Sequence, residues 1–300
     1  MTAHDGPTGE VDGPAATHGS WPWLAVFGVA LLALYGSVLV GLGADWLTDD
    51  NYAHGILVPP FAAWLIWRRR GEFQRLGRRP AAAGAVVAVV GLLMYLVGQT
   101  AFEFFLTRVS LVVVLAGAVS FLLGWRHLRL CAFPLVLLAL AIPLPTLIFN
   151  EIAVPMQLLA SQLGVAMIEA STVPAVREGN IILLERATLE VAEACSGIRS
   201  LISLGTLALV YGCLGRHSTT ARAVVALSVL PVVIVANGLR IAGAGLVAHA
   251  YGPQAAAGFL HTFSGWLFFG AAVLMLAAVE RASSLRWPGD RHRPEAMEHA

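Results

Sequence analysis

The chain carries a series of apolar runs long enough to cross a lipid bilayer, and this limits its fold more than any other feature. A bilayer core of roughly 30 Å needs about 20 apolar residues of helix. Such runs lie at 23–43, 54–67 (short, extended by its flanks), 81–98, 104–124, 130–149, 196–214, 221–250 and 262–280. They predict an all-α integral membrane protein of about eight transmembrane helices. Charged residues make up only 12% of the chain, against roughly a quarter in a soluble domain. That excludes a soluble globular enzyme and a disordered chain. The net charge of +1 offers no basic field for nucleic acid. All 19 basic residues are Arg, which excludes lysine-based chemistry. Cys131, Cys195 and Cys213 stand far apart, with no disulfide framework and no zinc or other metal-ligand cluster.

Residues 1–20 are polar and rich in Gly, Pro and Thr. They read as a disordered cytoplasmic tail, lacking the basic start and cleavage site of a signal peptide. Residues 21–282 form the polytopic membrane domain, and 283–300 a cytoplasmic C-terminal tail. Arg-rich connections fix direction, because they stay on the cytoplasmic side. Segment 68–79 holds six Arg, and Arg126, Arg129, Arg216, Arg222, Arg281, Arg286, Arg291 and Arg293 mark three further segments. With these inside, 44–53, 99–103, 150–195 and 251–261 fall outside, and eight crossings leave both termini cytoplasmic. The count closes only if the apolar stretch 152–170 does not cross. Its Gln157, Ser161 and Gln162 share one helical face, which suits an interfacial or re-entrant segment. Partial alternation within 172–194 predicts a small extracytoplasmic β-hairpin leading into Cys195.

Ionisable groups inside spans are costly and mark functional sites by default. Three polar clusters stand out: EACSGIRS (Glu193 to Ser200), ANGLRIAG (with Asn237 and Arg240 on one face) and FLHTFSGW (with His261, Thr262 and Ser264). Cys195 starts an outside-to-inside span. Arg240 lies about 30 Å of helix rise from the cytoplasmic start of its own. His261 opens the last span from outside. The three therefore converge on one membrane level. The residue types suit acyl transfer. Only a thiolate attacks, and a helix N-terminus and a nearby Arg both stabilise it. Arg cannot act as a base but can hold a developing oxyanion. His has the pKa to take the thiol proton and return it to a leaving amine. The blander alternatives are a Cys that fills space, an Arg that snorkels and a boundary histidine. Cys131 and Cys213 fit the first of these. Arg199, one turn deeper than Cys195, reads as a structural or substrate-pairing charge. Arg108 reads as the partner of Glu103 or another polar group. Tyr52 and His54, which open the second span, read as structural or substrate-docking residues rather than metal ligands.

At these residues the sequence resembles the exosortase/archaeosortase family of membrane transpeptidases. The resemblance rests on Ala194-Cys195-Ser196-Gly197-Ile198-Arg199, on Asn237-Gly238-Leu239-Arg240, on His261, and on the early Tyr52-Ala53-His54-Gly55 with the Arg run that ends at Arg70. It covers about residues 20–282. It implies a thiol protease or transpeptidase of the cell envelope, in the inner (cytoplasmic) membrane, with its site near the extracytoplasmic face. Its partners would be secreted proteins bearing a C-terminal sorting signal (motif, transmembrane helix, basic tail), membrane lipids and, as a further candidate, exopolysaccharide machinery. By resemblance Cys195 is the nucleophile with Arg240 and His261 as catalytic partners. Arg199, Asn237, His54 and Tyr52 are the candidate substrate-binding residues. No cofactor is implied. Two rival classes are a non-catalytic transporter or polysaccharide-export component, and a serine protease using Ser264. The latter lacks the first Gly of a Gly-x-Ser-Gly signature.

Overall fold

The computed structural model describes residues 21–185, 187–191, 197–214, 218–256 and 259–287. Two compact units divide the chain, Met1–Gly41 and Leu42–Ala300. The described part of the first is most of helix α1 (Trp21–Thr48), whose Val26, Val29, Leu32 and Val40 are exposed.

In the second unit a 3₁₀ turn (Ala53–Leu57) leads into α2 (Val58–Arg68) and α3 (Arg70–Arg75). Pro59 and Pro60 occupy the first turn of α2, where no amide donor is needed. Next come α4 (Ala82–Thr100) and α5 (Phe104–Leu122), an antiparallel pair. Gly84, Gly91 and Gly98, spaced seven apart, are the buried residues of α4. A side chain at each would strike α5, at Phe121, Val114 and Thr107 in turn. Backbone-to-backbone approach over small residues is how helices associate in lipid, where apolar packing alone gives little preference. Glu103 caps α5 by accepting from the Leu106 amide at 2.5 Å. Arg108 pairs with Asp45 at 2.5 Å, the second of the two alternatives expected for it, a polar partner other than Glu103.

The run 130–149 is not one helix. It divides into α6 (Trp125–Leu140) and α7 (Thr146–Ala170). Pro143 and Pro145 carry no amide hydrogen, and two such losses within three residues disfavour a continuous helix there. The freed backbone is held from elsewhere: the Trp46 indole donates to the Ala141 carbonyl at 2.8 Å, and the Leu144 amide donates to the Tyr52 hydroxyl at 2.9 Å. The stretch 152–170 is thus the body of a helix that begins at Thr146. That helix is long and apolar enough to cross a membrane.

A three-stranded antiparallel sheet follows, β1 (Ala175–Glu178), β2 (Ile181–Leu184) and β3 (Thr188–Glu190), in the order β1-β2-β3. The expected hairpin is its β1–β2 pair, with Glu178 opposite Ile181 and Gly179-Asn180 as the turn. Gly179 has φ +64°, the left-handed conformation such two-residue turns demand. Ile182 and Leu184 pack with Ile168 of α7.

The remaining helices are α8 (Ile198–Leu214), α9 (Thr219–Tyr251), α10 (Pro253–Ala256) and α11 (Phe259–Arg286). α11 runs past the expected domain end at 282. α9 is the common scaffold, in contact with α7, α8, α10 and α11. α8 runs against it antiparallel, with Gly212 near Arg222 and Gly197 near Val233 and Asn237. α11 is also antiparallel: Ser218 at the start of α9 donates to the Trp287 carbonyl at 3.0 Å. α7 is parallel to the later part of α9, with Leu163 and Gly164 meeting Gly238 and Ile241, and Ile168 meeting Gly245. Among the described residues, six helices are long and apolar enough to cross a membrane, and the 17-residue α8 is a shorter apolar one. α2 and α6, with 11 and 16 residues, fall short of the expected spans.

Candidate functional site

The segment entering α2 is built around a tight turn. Asp49 accepts from the Asn51 amide through its carboxylate (2.8 Å) and from the Tyr52 amide through its carbonyl (3.0 Å). Tyr52 is buried, and burial pushes its phenol above its ordinary pKa, so the hydroxyl stays neutral and accepts from Leu144. Gly55 lies against the Trp46 indole, leaving no room for a side chain. These contacts fix His54, whose two ring nitrogens are buried without a hydrogen-bond partner.

On the facing side, α8 begins at Ile198, just after Gly197. Gly197 has φ +82°, and a side chain there would press on Val233 and touch Asn237. Only glycine meets both conditions easily. Asn237 is buried on α9 beside it. One turn later Arg240 is half-buried, its guanidinium next to Gly265 of α11. Helix position 261 lies four residues before Gly265, on the same face.

These parts enclose a cleft of about 490 Å³ lined by Asp50, Ala53, His54, Gly197, Arg199, Ser200, Ser203, Arg240, Gly265, Trp266 and Phe269. Arg199 pairs with Asp50 at 3.2 Å on the exposed rim. Arg199 and Arg240 bring two guanidinium groups to the cleft lining, groups of the kind that can hold a developing anion. Among the described residues, no group of three or more His, Cys, Asp or Glu is placed to hold a metal ion.

Of the residues singled out from sequence, His54, Arg199 and Arg240 line the cleft. Asn237 packs behind Gly197. Tyr52 stands outside the cleft and lines a neighbouring apolar groove with Leu144, Leu201 and Ile202. Cys195, with Glu193, lies outside the described residues, as do the side chains of His261 and Ser264. Cys131 is buried and Cys213 is exposed at the opposite end of α8. Ser203 went unnoticed in the sequence, and Ser200 and Asp50 were given no role of their own. The two serines had a signal: Ser196, Arg199, Ser200 and Ser203 form a polar stripe at helical spacing.

Comparison with curated proteins and with solved structures returns no match. The family model for transmembrane exosortases (Exosortase_EpsH) matches residues 46–278, from the last turn of α1 into the later turns of α11. That span includes every residue of the cleft wall, and the chain belongs to the transmembrane exosortase family.

Proposed function

We propose that this exosortase is a thiol transpeptidase of the inner membrane, with its cleft at the extracytoplasmic face. Its substrates are secreted proteins that end in a short motif, a transmembrane helix and a basic tail. His261 takes the Cys195 proton, and the thiolate attacks the scissile carbonyl carbon. As the C–S bond forms, Arg240 holds the oxyanion. The C–N bond then breaks and the imidazolium gives its proton to the leaving amine, releasing the helix and tail. An acceptor nucleophile or water attacks the thioester and restores the thiol. Arg199 and His54 meet the substrate, while Asn237 and Tyr52 position the walls.

The observation that carries this reading is the single cleft. Its wall contains Arg240, the Gly197 end of the Cys195 motif and the α11 face one turn beyond His261. A second support is the start of α8 beside Arg199 and Arg240, since helix N-termini and guanidinium groups both favour a thiolate. The test is co-expression with a reporter carrying such a signal. Cys195→Ala is expected to leave the reporter full-length while the enzyme still inserts. Cys195→Ser should be severely impaired, because a hydroxyl is far harder to ionise. Cys131→Ala and Cys213→Ala should process normally. Wild-type processing by Cys195→Ala removes the thiol reading and leaves the serine-protease alternative at Ser264, whereas no processing of the reporter by the wild-type chain favours a transporter or export component.

A further inference from the structure

A further pocket, of about 250 Å³, lies far from the cleft, between the C-terminal ends of α2 and α8 and the middle of α6. Its lining is mixed: Arg68 and Arg69 stand together with Leu65, Leu130, Phe133, Pro134, Leu214 and Cys213. None of these lining side chains is acidic. Arg69 and Arg222 both lie close enough to Cys213 to act on it electrostatically. The two tryptophans of α2 sit beside the Arg run: Arg68 lies 5.4 Å from the Trp64 ring centre and Arg70 lies 4.4 Å from that of Trp67. Both rings are exposed. Exposed Trp next to Arg is the signature of a helix end at headgroup depth. The pocket therefore joins cationic and apolar lining, as an anionic lipid joins a charged head to an acyl chain.

We propose that this pocket binds the phosphodiester headgroup of an anionic lipid, on Arg68 and Arg69, with its chains laid along Leu65, Phe133 and Leu214. Basic pockets between membrane helices on the Arg-rich side recognise such headgroups. Free phosphate would leave the apolar lining unused, and a basic peptide tail would meet two like charges. Bound lipid would tie α2, α6 and α8 together at the end opposite the cleft.

The test uses the full chain purified in neutral detergent. It is titrated with dioctanoyl phosphatidylglycerol, dioctanoyl phosphatidylcholine and inorganic phosphate. Monomeric short-chain lipid is needed because a charged vesicle attracts every Arg alike. Native mass spectrometry reads occupancy, and maleimide labelling of Cys213, located by peptide mass, reads coverage of the pocket. Phosphatidylglycerol is expected to bind one to one and slow Cys213 labelling, while the other two do neither at the same concentration. Arg68→Gln with Arg69→Gln should weaken it about thirtyfold, at about fivefold per Arg. Arg75→Gln with Arg78→Gln removes the same charge outside the pocket and should change binding less than about twofold. Arg68→Lys with Arg69→Lys should keep most of the binding, separating lost charge from lost fold. Equal weakening by the two Gln pairs, or no weakening by the first, would overturn the site. Equal protection of Cys213 by inorganic phosphate would overturn the lipid assignment.

Discussion

His54 is the residue whose surroundings say most. A buried polar atom left without a partner costs about 1–3 kcal/mol, and His54 has two such nitrogens in a cleft wall. We take His54 to be kept in the cleft wall for a substrate whose groups complete those bonds. His54→Leu should therefore keep or raise the melting temperature in detergent while sharply lowering reporter processing. A variant that melts lower and still processes would make His54 a packing residue. Arg240 makes a different claim. Lysine keeps the charge but loses the planar fork that grips two acceptors at once. If Arg240 holds the oxyanion, Arg240→Lys should fall about 10²–10³-fold in acylation rate, as loss of one such donor does elsewhere. Full activity would reduce it to a generic cation. At this scale the sequence reading drew on charge placement and helix rise, and the structure brings Arg240 and the start of α8 to one cleft. It missed Asp50 as the partner of Arg199, because an ion pair between segments so distant along the chain leaves no local pattern.

Among the elements, the α4–α5 pair shows what patterning conceals. Its glycines repeat every seven residues in plain view. Hydropathy nonetheless treats a glycine as neutral filler, so the run 81–98 read only as a span. The contact it makes is steric. Gly91→Val would drive a branched side chain into Val114 and the backbone beside it. Overpacking of this kind costs about 1–3 kcal/mol. Gly270 of α11 has open space around its Cα, so Gly270→Ala should be neutral or slightly stabilising, by up to about 1 kcal/mol. Thermal unfolding of the two variants in one detergent checks the contrast, and equal stability would mean the helices separate without cost. The opposite failure occurred at 130–149, where the apolar run continues across a break. Pro143 and Pro145 were legible as helix breakers, but hydropathy averages over them. The side chains that make the break tolerable, Trp46 and Tyr52, come from far upstream.

At the scale of the whole molecule, the Arg distribution predicts that 68–79 and both termini face the cytoplasm and 172–194 faces outward. Single cysteines placed in those segments and labelled with an impermeant maleimide on intact cells should react only in 172–194. Reaction of that segment from the cytoplasmic side alone would move the cleft to the other face. The class of fold was readable because a membrane permits so few answers. The number of crossings was not, since α2, α6 and α7 depart from the simple rule that one apolar run makes one span. α9 departs furthest. Its 33 residues rise roughly 50 Å, well beyond a bilayer core of roughly 30 Å. The cleft is mounted on that helix at Arg240, so its altitude is set by the protein. On the proposed reading, a substrate helix settles according to the thickness of the lipid around it. Each change of about 3 Å in how high that helix rides would then slide its extended chain by about one residue past the cleft. The acyl-chain length of the host membrane would, on that reading, bear on which peptide bond meets the cleft.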